Sequence, residues 1–287
     1  MSPSTRPEPV SVRPKKGLGQ HFLVDDGAIR RIVDAVGHPD VGAAPGTRVV
    51  EIGPGEGAMT DALVRRFPGM VALEVDREAI AHLGRRHPDL DVRELDVLEA
   101  DWAALRRELA PPAAGQDALG SSLAQPAVPQ LHVAGNLPYY ISSPILFALL
   151  DARAHVARAT VMVQEEVARR LASPPGSKAY GTLSVYFALF ARVDYLFGVP
   201  PGSFRPPPKV DSAVVAIDFR VPPPAVAFDD VRRVVRAAFG QRRKMLRNSL
   251  GPLAREAGVD VPETFATRRP EAVAPADFVT LAQLLRP

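Results

Sequence analysis

A glycine-rich turn at the end of a short apolar run does most to limit the folds open to this chain. Glu51-Ile52-Gly53-Pro54-Gly55-Glu56-Gly57 follows Arg48-Val49-Val50, and residues 58–66 continue with helical spacing. Strand, tight turn and helix open a βα unit, and such units assemble into a parallel sheet covered by helices. The rhythm persists. Residues 71–75 read as a second strand and 77–86 as a helix, and residues 91–95, 131–134 and 160–163 read as three more strands. Residues 193–199 and 213–219 add two strands that close one edge as an antiparallel pair. The expectation is a doubly wound α/β sheet of seven strands with helices on both faces.

Proline marks the joints of this plan. The chain has 30 Pro in 287 residues, above the average of about 5%. Residues 111–130 (PPAAGQDALGSSLAQPAVPQ) are almost uncharged and rich in Ala, Pro, Gly and Ser, which reads as a flexible surface insertion. Val221-Pro222-Pro223-Pro224 ends one region, and the residues beyond it read as helical. The expected division is a large domain over residues 1–221 and a small helical one over 222–287. No apolar run approaches the roughly 20 residues that span a bilayer, and the N-terminus lacks the apolar core of a secretory signal, so a cytoplasmic setting is expected. The chain has no Cys, hence no disulfide framework or thiol nucleophile. Its six His are scattered singly, and no metal site is read.

The glycines follow G-x-G-x-G, whereas a dinucleotide fingerprint runs G-x-G-x-x-G, which disfavours a dehydrogenase. Glu51, just before the glycines, and two later acids sharpen the reading. Glu74 ends the second strand, where a carboxylate can take ribose hydroxyls, and Asp96 follows the third, within reach of an adenine amino group. Either alone is an ordinary solvated or capping carboxylate; their placement after successive strands points to a bound nucleoside. S-adenosylmethionine suits such a pocket, because it carries its own activated methyl and the protein need only align an acceptor.

Asn136-Leu137-Pro138-Tyr139 ends the fourth strand. An amide oxygen, a carbonyl preceding a proline and an aromatic face in one small volume suit an exocyclic amine on a flat base. The N6 lone pair of adenine is delocalised into the ring, so the amine is a poor nucleophile until acceptors hold its hydrogens. In this reading Asn136 and the Leu137 carbonyl accept those hydrogens, Pro138 aims the carbonyl, and Tyr139 stacks on the ring. Phe204 covers the other face or packs in the core.

The charge is unevenly spread. The net charge is only +3, yet residues 231–250 hold Arg232, Arg233, Arg236, Arg242, Arg243, Lys244 and Arg247 with no acid among them. Seven cations in one run repel one another unless a polyanion screens them, so this block is read as a phosphate-binding helix, with Arg13, Lys15 and Lys16 assisting.

Several strings together resemble one family. KGLGQHFL (residues 16–23), the glycine turn, NLPYYISS (136–143), PGSKAYGTLSV (175–185), FRPPPKVDSAVV (204–215) and QRRKMLRNSL (241–250) are similar, in order, to the KsgA/RsmA ribosomal RNA adenine N6,N6-dimethyltransferases. The resemblance runs from about residue 15 to the C-terminus and lapses over residues 111–130. It implies a Rossmann-like class I methyltransferase domain with a small α-helical C-terminal domain that binds RNA. It also implies S-adenosylmethionine as cofactor, and two methyls placed on each of two adjacent adenosines near the 3′ end of small-subunit rRNA, within a 30S particle or an assembly intermediate. By position it makes His21, Leu23, Gly53, Gly55, Glu74, Asp96 and Asn136 cofactor contacts. Asn136 joins cofactor and target base, and Tyr139 is the stacking aromatic. His21 and Tyr140 depart from it, since the family often has Asn at both places; a second aromatic at Tyr140 either alters base stacking or packs against the sheet, and packing is the expectation. Two rivals share the fold: an Erm-type large-subunit rRNA adenine methyltransferase and a non-catalytic nucleic-acid-binding factor.

Overall fold

The computed structural model of the chain describes residues 12–37, 47–109 and 130–286; the insertion read at 111–130 lies outside them apart from Gln130. Among the described residues the strands are β1 (Phe22–Leu23), β2 (Arg48–Ile52), β3 (Val71–Glu74), β4 (Asp91–Glu94), β5 (Leu131–Asn136), β6 (Val156–Gln164), β7 (Arg192–Val199), β8 (Phe204–Arg205) and β9 (Ser212–Asp218). Seven of them form one sheet in the order β4-β3-β2-β5-β6-β9-β7. The pairs from β4 through β6 are parallel. The two strands expected at one edge are there as β9 and β7. β1 and β8 form a separate antiparallel pair, with Leu23 opposite Phe204.

The strand sequences explain their places. β3 and β5 are buried almost throughout and are apolar nearly without alternation, as strands covered on both faces must be. β4 (DVRE) and β7 (RVDYLFGV) put charges on the two edges, where unpaired backbone groups would otherwise invite another strand. β6 begins four residues earlier than its apolar run suggested, because the buried Arg158 interrupts the pattern.

The chain divides into two compact units, residues 1–163 with 196–216, and residues 164–195 with 217–287. In the first, α1 (Asp26–Val36) buries Ala28, Ile29, Ile32, Val33 and Val36 on one stripe. Its N-cap is Asp25, which accepts from the Gly27 and Ala28 amides and from Ser203 Oγ, a cap worth about 1 kcal/mol. Helices α2 (Thr60–Arg66), α3 (Arg77–Arg86), α4 (Trp102–Glu108) and α5 (Ser142–Asp151) complete this unit.

The second unit holds α6 (Glu165–Leu171), α7 (Thr182–Phe190), α8 (Phe228–Gly240), α9 (Leu246–Ser249), α10 (Gly251–Glu256), α11 (Glu263–Ala266) and α12 (Pro275–Leu284). Residues 164–195 thus differ from the expected boundary at 221 by going with the C-terminal helices. The cause is α7, which is apolar nearly all round. Phe187 meets Phe219, Phe190 and Tyr186 meet Phe228, and Tyr180 donates to the Val273 carbonyl at 2.8 Å.

Candidate active site

β2 pairs with β3 on one side and β5 on the other. Strand order therefore reverses between β2 and β5, and open sheets form their ligand crevice at such a switch, beyond the strand C-termini. The glycine turn leaves β2 there, and Asn136 ends β5 beside it. A cleft of about 820 Å³, including the part open to solvent, occupies this place. Its wall includes Gly19, His21, Gly53, Gly55, Glu74, Asp96, Asn136, Leu137, Pro138 and Tyr139.

Backbone conformation shapes the floor. Gly53 has φ +64° and Gly55 φ +57°, the left-handed region that side chains disfavour. A Cβ on Gly53 would meet no atom within 4 Å, so its absence leaves a cradle on the cleft wall; one on Gly55 would stand 2.8 Å from the Phe22 ring. The buried Glu74 carboxylate ties the turn to the end of β3. Its Oε2 accepts from Gly55 N at 3.1 Å, and its Oε1 from the Val75 and Asp76 amides at 2.8 and 2.9 Å. A carboxylate has about four acceptor positions, so one remains, on Oε2. Asp96 caps the following turn through Oδ1, which accepts from Leu98 N at 2.9 Å; its second oxygen has no protein donor among the described residues.

Beneath the turn lies the acid that precedes its glycines. Glu51 is buried and accepts from Thr60 Oγ1 at 2.7 Å. Burial pushes its pKa up to about 8; the Thr60 bond holds it back, and the Glu74 and Asp61 charges add to the rise.

At the end of β5, Asn136 Nδ2 donates to the His21 carbonyl at 2.9 Å. That bond turns Oδ1 the other way, and no donor among the described residues meets it. The Leu137 amide is held by Met162 O at 3.0 Å, while no donor among the described residues meets the Leu137 carbonyl. Tyr139 is half-buried and stacks on the His21 ring, centroids 5.5 Å apart and planes 23° apart. Its hydroxyl lies 2.5 Å from Ser212 Oγ. Burial raises the Tyr139 pKa against the pull of that bond, so the phenol stays neutral. His21 is fixed in turn by Nδ1 on the Pro206 carbonyl at 2.8 Å.

Three expectations change. Phe204 is buried at 4% exposure in the core with Ile32, Leu63 and Val214; pairing of β8 with β1 turns the ring inward, so packing replaces base-covering. Leu23, its partner across the pair, is likewise in the core and off the cleft wall. Tyr140 goes the opposite way, exposed at the cleft rather than packed on the sheet.

The basic block is also divided. It is not one helix: α8 ends at Gly240, a turn covers residues 241–244, and α9 begins at Leu246. Arg233 is paired with Glu256 at 3.2 Å and with the Leu285 carbonyl. Arg232 lies over the Phe228 ring and 3.9 Å from Asp229. Arg242 donates to the Lys178 carbonyl at 3.0 Å and remains exposed. Arg236, Arg243, Lys244 and Arg247 are exposed without an acidic partner among the described residues. Lys15, expected on phosphate, is bound to Asp76 at 2.5 Å and Glu78 at 3.4 Å. Arg13 is exposed, and the Lys16 side chain lies outside what is described.

The donor set fits a nucleoside cofactor: a side-chain-free cradle at Gly53, one acceptor left on Glu74 and one on Asp96. The sequence motifs missed Gln20, Phe22 and Ser212 as parts of the site, because their partners are far away in the chain. Gln20 shares Asp76 with Lys15, and Phe22 lines the cleft with its ring against Gly55.

The ribosomal RNA adenine dimethylase family matches residues 12–284. A protein named ribosomal RNA small subunit methyltransferase A from Salinibacter ruber is 45% identical over 278 residues, 96% of this chain and 86% of its own. One of the same name from Leptothrix cholodnii is 44% identical over 95% of this chain and 92% of its own. Among solved structures, a dimethyladenosine transferase from Plasmodium falciparum superposes with a TM-score of 0.67 at 22% identity, covering 91% of this chain and 96% of that one. The 23S rRNA methyltransferase ErmE gives 0.61 at 24% identity, covering 92% and 99%. At those identities the structural likeness shows the α/β methyltransferase fold.

Proposed function

The chain belongs to the ribosomal RNA adenine dimethylase family, and from that premise we propose how it acts. It is an S-adenosylmethionine-dependent methyltransferase that modifies N6 of two adjacent adenosines near the 3′ end of small-subunit rRNA, giving N6,N6-dimethyladenosines during small-subunit biogenesis. Its substrate is the rRNA within a 30S particle or an assembly intermediate, and its setting is the cytoplasm. No helix among the described residues is long and apolar enough to cross a membrane.

The observation that carries the reading is Asn136, tethered through Nδ2 so that Oδ1 faces outward as an acceptor beside the open Leu137 carbonyl. Bound S-adenosylmethionine supplies an activated methyl. Gly53 gives it backbone access, Glu74 offers its remaining acceptor position to a ribose hydroxyl, and Asp96 offers its second oxygen to an amino group. The target adenosine leaves its stack at a cost of a few kcal/mol, and Tyr139 receives it. Asn136 Oδ1 and the Leu137 carbonyl then hold the N6 hydrogens, which localises the lone pair on nitrogen. Tyr139, neutral and bonded to Ser212, is a stacking surface rather than a base. The first transfer leaves the amine transiently cationic and acidic, its proton passes to solvent, and one acceptor suffices to hold the remaining hydrogen for the second transfer. Arg236, Arg242, Arg243, Lys244 and Arg247 position the RNA through phosphates without reading its sequence.

The test is methyl transfer from labelled S-adenosylmethionine to unmodified small subunits, with large-subunit rRNA in parallel. The expected product is N6,N6-dimethyladenosine in small-subunit rRNA. Label confined to large-subunit RNA would transfer the chain to the Erm type, and no label at all would leave a binding factor.

A further inference from the structure

Tyr140 takes no part in the account above. It stands in the turn Tyr139–Ile141 and lines the cleft. At 58% it is the most exposed of the large apolar side chains described. A single exposed aromatic needs no explanation by itself, but this one is seated. A Cβ built on Gly19 would stand 2.9 Å from its Cδ1 and 3.4 Å from its Cε1, so one edge of the ring rests on the Gly19 backbone.

That backbone is held firmly. Lys15 N donates to Gln20 Oε1 at 2.9 Å, Gln20 Nε2 reaches Asp76 at 3.3 Å, and the next carbonyl, that of His21, accepts from Asn136. Two consecutive aromatics therefore have different surroundings. Tyr139 is half-buried, stacked on His21 and bonded through its hydroxyl. Tyr140 is fixed along one edge and open to solvent on the lip of the same cleft. A ring restrained in advance loses little entropy when something stacks on it.

RNA supplies what such a ring can take. A nucleotide that swings out of its stack leaves its neighbour without a stacking partner, and an aromatic at the mouth of the pocket can replace it. We propose that Tyr140 is a second stacking platform, receiving a base that flanks the reacting adenosine and so setting the register of the RNA in the cleft. The inference rests on the function proposed above and names a residue that positions substrate.

Two variants test it. Tyr140→Leu keeps apolar bulk against Gly19 but removes the flat ring, and Tyr140→Phe keeps the ring. Methyl transfer to unmodified small subunits is measured with each, and S-adenosylmethionine binding is measured separately by calorimetry. The Leu variant is expected to lower kcat/KM for the particle roughly tenfold, with cofactor affinity unchanged, and the Phe variant to restore it. A Leu variant as active as the wild type overturns the proposal. So does a Leu variant that loses cofactor affinity by the same factor, since the ring would then serve the Gly19 segment over the cofactor. A wild-type chain that methylates no RNA in this assay overturns the functional reading itself, and the inference with it.

Discussion

The glycine-turn floor of the cleft and the cationic segment at residues 241–247 are built on opposite terms. On the floor nearly every polar group has a protein partner: Glu74 accepts three hydrogen bonds, Glu51 one, and Asn136 gives its amide to His21. On the cationic segment, Arg243, Lys244 and Arg247 are exposed with no acidic partner among the described residues. A site that must align reacting atoms within a fraction of an ångström uses its own hydrogen bonds to hold itself still. A surface that only has to meet phosphates keeps its charges uncommitted. Geometry limits the first region and charge the second.

The largest effect should come from breaking the floor. Glu74→Ala strands the amides of Gly55, Val75 and Asp76, and each of the two buried ones, on Gly55 and Asp76, left unpaired costs about 1–3 kcal/mol. Chemical denaturation should show the loss, and calorimetry should show no measurable S-adenosylmethionine binding. If Glu74→Ala binds cofactor as the wild type does, the floor is not the cofactor site.

Reversing Arg243 and Lys244 to Glu should act on the other term alone. Particle binding should weaken roughly tenfold or more and its salt dependence should flatten, with the melting temperature unchanged. The same reversal at Arg233, which is committed to Glu256 and the Leu285 carbonyl, should instead lower stability. Equal loss of RNA binding from both would erase the distinction drawn within the block.

Glu51 gives the floor a pH dependence of its own. Its pKa of about 8 in the fold lies above the 4.5 of the free side chain, so the fold binds the proton more tightly than the unfolded chain. The stability from that proton is complete below about pH 4.5 and is lost as pH rises through 8, at roughly 1 kcal/mol per pH unit. Glu51→Gln should remove this slope and be the more stable form at pH 8.5, as denaturation curves at pH 6 and 8.5 would show. A wild-type stability that does not fall over that interval relative to Glu51→Gln contradicts the assignment.

The contrast also decides what the sequence made legible. The helix at 77–86 coincides with α3, because Asp76 caps it locally and its apolar spacing is its own. β2 and β3 declared themselves by short, mostly apolar runs, and the glycine turn and Asn136 fell at the switch point because strand order governs where ligands bind. What stayed hidden depended on partners distant in sequence. Phe204 faces inward because β8 pairs with β1, 182 residues earlier at Phe22–Leu23 by number. Lys15 lost its expected phosphate role to Asp76, 61 residues on. The basic run looked uniformly unbalanced because its neutralising acids, Asp229 and Glu256, stand just outside it.

The most direct test of the account is single-turnover methyl transfer to unmodified small subunits by Asn136→Ala at saturating cofactor, with particle binding followed in the same samples. Loss of one preorganised group at a reacting centre typically costs about 10²–10³ in rate. The account predicts a fall of that size with particle and cofactor binding intact. Transfer at a rate within a fewfold of the wild type would contradict it, since the acceptor held by His21 would then not be what prepares the amine.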